Sequence, residues 1–172
     1  MTTRLCPLLL VLTLVPSCRA RMSAAPDATP PAEAAPAQTA ALKETTATFA
    51  TSSGGHASFR LEVAEKPTDR FRGLMYRRSM APDRGMLFVF AVEQVQEFYM
   101  KNTYIPLDMV FVSRAGRVAG VVEDARPLTL ETRAVDAPST YVIELNAHTA
   151  RTAGIAAGST VTFDPPPPDV DE

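Results

Sequence analysis

The sequence predicts an all-β domain, a jelly-roll-like β-sandwich or small barrel carrying two short helices. Three observations lead there. Apolar residues recur mostly with a period of two, the repeat of a strand with one buried face. The run "GMLFVF" from Gly85 is continuously apolar and short, as expected of a strand covered on both faces. Gly, Pro and Asn punctuate roughly seven such runs, the spacing of a sandwich or barrel.

Taken in order, "FRLEVA" at 59–64 sets Phe59, Leu61 and Val63 against Arg60 and Glu62, a half-buried strand. Further strands are expected at 85–90, 95–102, 107–113, 117–123, 139–145 and 159–164. "SRAGR" at 113–117 is a polar turn joining two β-branched runs into a hairpin. In "KPTDRFRGLMYR" Thr68 is placed to cap a short helix, with Asp69 near its positive end and Gly73 either limiting its length or allowing close packing. In "HTARTAGI" Thr149 is the expected cap and Gly154 the expected stop. No internal repeat is seen.

The chain opens on "MTTRLCPLLLVLTLVPSC", with Arg4 ahead of an apolar run from Leu8 to Val15. That is the pattern of a secretory signal peptide, 1–17, too short for a spanning helix. "LVPSC" resembles a bacterial lipobox, which makes Cys18 the expected lipidation site and the membrane a partner through an N-terminal lipid anchor. Ordinary signal cleavage after Ser17 or Ala20 is the alternative. Arg at position 19 favours the outer membrane by the enterobacterial sorting rule, so the expected location is its periplasmic face, or the periplasm or exterior without lipid. Residues 18–44 form an Ala/Pro-rich tether with too few bulky side chains to offset its chain entropy. The globular domain is expected over 45–164, and "PPPPDVDE" makes 165–172 a proline-rich acidic tail.

The only cysteines are Cys6 and Cys18, so the domain has no thiol for a disulfide, a nucleophile or a zinc site. A formal net charge of −2, with no basic stripe interleaved with aromatics, argues against nucleic acid as a partner.

Candidate chemistry centres on "EFYMKNTYIPLDMVFV" at 97–112. Strand alternation puts Asp108 on one face with Val110 and Val112, and Leu107, Met109 and Phe111 on the other. A carboxylate so placed is at least partly buried and needs partners. Lys101, Asn102 and Arg72 are the nearest guesses, forming a polar ligand-binding cluster; the competing structural reading is that Asp108 caps amides of the "NTYIP" loop. Glu144 poses the same puzzle, sharing a face with Val142 while Tyr141, Ile143 and Leu145 occupy the other. It is either a paired strand glutamate or, with Asp108, half of an acid/base pair. Arg70, Arg72, Arg77, Arg78 and Arg84 lie close in sequence and favour an anionic group.

Met75, Met80, Met86, Met100 and Met109 invite a copper(I) site, but four of the five sit inside apolar runs and read as core filling. His56 and His148 are isolated, and neither G-x-S-x-G nor H-E-x-x-H is present. No cofactor or metal is expected.

The blocks "FRGLMYRRSM", "RGMLFVF", "FYMKNTYIPLDMVFV", "GRVAGVVEDARPLT" and "YVIELNA" resemble the domain-of-unknown-function 192 family of exported bacterial and archaeal proteins, over about residues 59–163. The resemblance implies a single exported β-domain with a jelly-roll-like fold and no established activity. The chain departs from the family pattern at Tyr99 (usually Trp), His148 (usually Gly) and Ser159 (usually Asp).

The functional expectation is a non-enzymatic, envelope-tethered module that binds a small anionic ligand, a glycan or an envelope protein through Arg72, Lys101, Asn102, Asp108 and Glu144. A hydrolase using Asp108 and Glu144, and a purely structural envelope domain, are the competing readings.

Overall fold

The computed structural model describes residues 41–51 and 54–169. The expected signal peptide, the expected lipidation site Cys18 and nearly all of the expected tether lie outside these residues. Among the described residues, seven strands and two short helices follow one another: β1 (Glu44–Ala50), β2 (His56–Ala64), α1 (Pro67–Arg72), β3 (Arg84–Gln94), β4 (Leu107–Val112), β5 (Val118–Ala125), β6 (Ser139–Asn146), α2 (Thr149–Ala153) and β7 (Thr160–Asp164).

The strands form one sheet in the order β5-β4-β6-β3-β2-β1-β7, antiparallel except where β2 runs alongside β3. The sheet curls into a half-barrel. Its two edges meet at one end, where Arg117 bridges Thr160 and Val118 N–H donates to the Ser159 carbonyl at 2.8 Å. Closing the edges in this way shields backbone groups that an open sheet would present to other chains.

Alternation sorts the strand residues into two cores. The inner one gathers Phe49, Phe59, Leu61, Leu87, Val110, Val112, Ile143 and Leu145, and α2 closes over it with Ala150 and the following Ile155. The outer one gathers Met86, Phe88, Met109, Phe111 and Val142 from the central strands, covered by Leu74, Met100 and Ile105 from the connections. Strands β3, β4 and β6 are therefore apolar on both faces, which is why "GMLFVF" and "LDMVFV" read as near-continuous runs. Gly85 sits where a Cβ would lie 2.5 Å from the Glu144 carbonyl oxygen and 2.8 Å from Leu61, so β3 needs a bare backbone there.

Two features differ from the sequence reading. Strand β1, "ETTATFA", is present ahead of the strand expected first; its period-two face is Thr45, Ala47 and Phe49, mostly too small to register as an apolar run. The segment 95–102 is no strand. It makes a single bridge, Phe98 with Arg133, and packs Phe98 and Met100 over the outer core as a lid. The "SRAGR" turn is as expected, with Gly116 at φ 74° and its N–H donating to the Ser113 carbonyl.

The helix caps are also corrected. Neither Thr68 nor Thr149 caps its helix; the N-cap residues are Lys66 and His148, without side-chain caps. Gly73 and Gly154 end the two helices as expected. His148 stands at φ 67°, the left-handed region that glycine adopts without steric cost. His148→Gly is expected to stabilise the domain by about 0.5 kcal/mol, read as a small rise in the denaturation midpoint. Ser159 keeps the acceptor role open to aspartate, taking the Ala156 N–H at 3.2 Å.

Candidate functional site

The predicted polar cluster does not assemble as one site. Asp108 is fully buried on the inner face. Its Oδ1 accepts the Asp124 N–H at 2.9 Å, and its Oδ2 accepts the Ala150 N–H at 2.8 Å. The carboxylate thus caps the first turn of α2 and fixes the end of β5, where Asp124 has φ 50°. Its donors are neither Lys101, Asn102 or Arg72 nor the "NTYIP" loop. Lys101 is exposed. Asn102, at φ 54°, donates from Nδ2 to the Tyr76 hydroxyl at 2.8 Å, while its carbonyl accepts the Tyr76 N–H at 2.7 Å. That pair locks two left-handed residues against each other.

Asp108 and Glu144 face opposite sides of the sheet. Asp108 is registered with Leu145, and Met109 with Glu144, so pleating sends one carboxyl into the barrel and the other into the outer layer. They cannot serve as the acid/base pair of a hydrolase.

Glu144 and Arg72 do come together, around a cavity of about 230 Å³ on the outer face. Glu144 lies on β6 between its cross-strand partners Met86 and Met109, and only 5% of it is exposed. Phe88, Phe90 and Phe98 form an aromatic wall with Leu74 and Met75, and Phe71 and Tyr99 stand exposed at the rim. Phe98 organises the wall: it meets Phe88 edge-on at 5.1 Å, and Phe90 and Phe111 at 6.1 Å each. Gly73 lets the end of α1 approach the Phe88 ring, which a Cβ would meet at 3.1 Å. Both roles proposed for this glycine therefore hold.

Arg70 and Arg72 line the cavity. Arg70 is fixed by donation to the carbonyls of Glu65 (2.6 Å) and Val89 (3.0 Å), with its guanidinium 5.3 Å from the Phe90 ring centre. Arg77 grips Glu62 through two hydrogen bonds of 2.7 and 2.5 Å, which hold the Glu62 carboxyl below its ordinary range. Glu144 goes the other way. Burial raises its pKa from the ordinary 4.5 to about 8, against a weaker opposing pull from Arg77. No described residue donates a hydrogen bond to its carboxyl. At neutral pH it is a protonated acid on the floor of an aromatic cavity, able to donate a hydrogen bond to a guest or to receive charge from one.

Sequence reasoning found Glu144 and Arg72 but missed Phe71, Phe98 and Tyr99. A signal existed in the aromatics at 88, 90, 98 and 99 beside a solvent-facing Phe71, but reading 95–102 as a strand scattered them. Met86, Met100 and Met109 are core residues, as expected of gap fillers, and Met75 alone of the five methionines lines the cavity.

Among solved structures, a protein of Sinorhizobium meliloti 1021, provisionally described as a transcription regulator, is 37% identical with a TM-score of 0.70, covering 73% of this chain and 97% of its own. A protein of unknown function from Novosphingobium aromaticivorans DSM 12444 is 32% identical with a TM-score of 0.69, covering 76% and 94%. No curated protein matches the chain. The family model of the uncharacterized ACR proteins, domain of unknown function 192, matches residues 48–163. The chain belongs to that family.

Proposed function

We propose that this protein is an exported, lipid-tethered binding module that holds a small ligand in the outer-face cavity between Arg72 and Glu144. The observation that carries this reading is the Glu144 carboxyl, which opens onto the aromatic cavity on a residue only 5% exposed and takes no hydrogen bond from a described residue. A buried polar group left unmatched costs stability, and such groups concentrate where a ligand completes them. Asp108 is a structural strut in this account and takes no part in binding.

The tether follows from Cys18 and the Ala/Pro-rich 18–44 segment: acyl chains anchor the protein while the domain stands off the membrane. The regulatory description of the Sinorhizobium relative is not carried over, because a composition of 17 basic against 19 acidic residues lends no support to duplex binding.

A thermal-shift screen of the mature chain against sugars, anions and metals tests the binding role. A true ligand raises apparent stability, by about 2.7 kcal/mol at a hundredfold excess over its Kd. Met75→Trp, which fills the cavity from its wall, is expected to abolish that shift. A hit indifferent to this substitution, or no hit in any class at millimolar concentration, contradicts the reading. For the tether, Cys18→Ser is expected to move the protein from the membrane pellet to the soluble fraction; continued sedimentation would contradict it.

A further inference from the structure

The outer face of the domain is apolar where it meets solvent. Three segments cover the outer core: α1, the connection 95–106, and the connection 126–138, which contributes Val135. The two connections are tied together, since the Met100 N–H donates to the Thr129 carbonyl at 3.0 Å and the Leu128 N–H to that of Thr103 at 3.2 Å. Among the described residues, every large apolar side chain that stands exposed, apart from Val92 near the end of β3, belongs to this cover. Phe71 on α1 is 68% exposed and Leu130 on the second connection 73%, with Tyr99 and Leu128 exposed between them in the fold's outer layer; β1, β7 and α2 present none. Single exposed apolar residues need no explanation, but their confinement to one face marks an interaction surface. Phe71 and Tyr99 also line the cavity, so its mouth lies within this surface.

The entry of the chain into the domain decides what covers it. Leu42 packs against the outer core, the Lys43 carbonyl accepts the Val63 N–H at 2.8 Å, and the Lys43 ammonium meets Glu65 at 3.1 Å, immediately before α1. The chain therefore reaches the domain on its outer face, beside the helix that carries Phe71. Residues 19–41, which separate Leu42 from Cys18, span at most about 80 Å at full stretch. A lipid on Cys18 would hold this face, and not the α2 side, nearest the bilayer.

We infer that the outer cover docks on a lipid bilayer, with Phe71, Tyr99, Leu128 and Leu130 entering the interfacial layer, so that the cavity opens onto lipid. This rests on the lipid-tether reading, which supplies the bilayer. Aromatic rings favour the boundary between headgroups and acyl chains, and aliphatic side chains favour the region beneath it. The affinity required is small, because the anchor makes docking an intramolecular step. Four partly inserted side chains bury less apolar surface than one myristoyl chain, itself a marginal anchor, so an unanchored chain is released on dilution.

The chain contains no Trp, so a single introduced one reports its own surroundings. In the mature chain carrying Cys18→Ser, Phe71→Trp is expected to shift its emission to the blue and to become shielded from aqueous iodide when phosphatidylcholine vesicles are added to millimolar lipid. Thr152→Trp, on the exposed side of α2, is expected to do neither. Joint substitution of Phe71→Ser and Leu130→Ser, which leaves both cores untouched, is expected to lower vesicle co-sedimentation about tenfold. Equal shifts at positions 71 and 152, no shift at millimolar lipid, or binding confined to phosphatidylglycerol and abolished by salt would overturn the inference. A blue shift that grows with protein concentration in the absence of vesicles would overturn it too, and would give the face to a second copy of the chain. The anchor is read separately, from the acyl mass on Cys18 of the wild-type chain: its absence would overturn the tether reading while the vesicle result stands.

Discussion

Asp108→Ala is expected to destabilise the domain by about 3–5 kcal/mol, a large part of what a domain of this size possesses. The effect comes from its two partners. Oδ1 and Oδ2 each satisfy one backbone N–H, at Asp124 and Ala150, and removing the carboxylate strands both amides at about 1–3 kcal/mol each. The loss should be local before it is global: α2 loses its N-terminal acceptor and ceases to cover Ala150 and Ile155 in the inner core. Asp108→Asn keeps one acceptor oxygen but turns an NH₂ toward the second amide, so a smaller loss of about 2–3 kcal/mol is expected. Hydrogen exchange at Asp124 and Ala150 in the Asn variant, with urea denaturation of both variants, measures this. Unchanged protection at these two amides would contradict the strut role.

The second large effect is the pH dependence set by Glu144. Its value in the folded protein, about 8, lies above the ordinary 4.5, so the folded state holds the proton more tightly than the unfolded chain. Stability is therefore complete below pH 4.5 as far as this group is concerned, and declines as the pH rises through 8. The full loss corresponds to up to about 5 kcal/mol between these limits. Glu62 acts in the opposite sense, since the Arg77 hydrogen bonds lower it, and its contribution is lost only as the pH falls below the ordinary carboxylate range. The interval from pH 5 to pH 9 thus isolates Glu144. Glu144→Gln is expected to flatten the profile over that interval and to exceed the wild type in stability at pH 9. Parallel profiles for the two proteins would contradict the assignment.

How far the sequence revealed this arrangement depended on whether an interaction was local. Period-two alternation located β2, and the apolar runs located β3, β4 and β6, because each is a property of consecutive residues. Alternation also placed Asp108 with Val110 and Val112, and Glu144 with Val142, on the faces they occupy. The partners of Asp108 were out of reach: they are backbone amides 16 and 42 residues away in the chain, and a backbone amide has no residue-type signature. β1 was hidden by its Thr and Ala composition. The lid at 95–102 was misread because Phe98 and Met100 are buried beneath a loop, and burial under a loop leaves the same apolar letters as burial in a strand. The cavity was invisible for a related reason, since it arises where α1, β3, β6 and this lid converge.

The account depends most on a neutral acid at the floor of the aromatic cavity, and the side-chain carboxyl ¹³C resonance of Glu144 reports that state directly. Followed from pH 3 to pH 10, it is predicted to titrate with a midpoint near 8. A midpoint near 4.5 would show a solvated carboxylate and remove the buried, unmatched group on which ligand recognition is built.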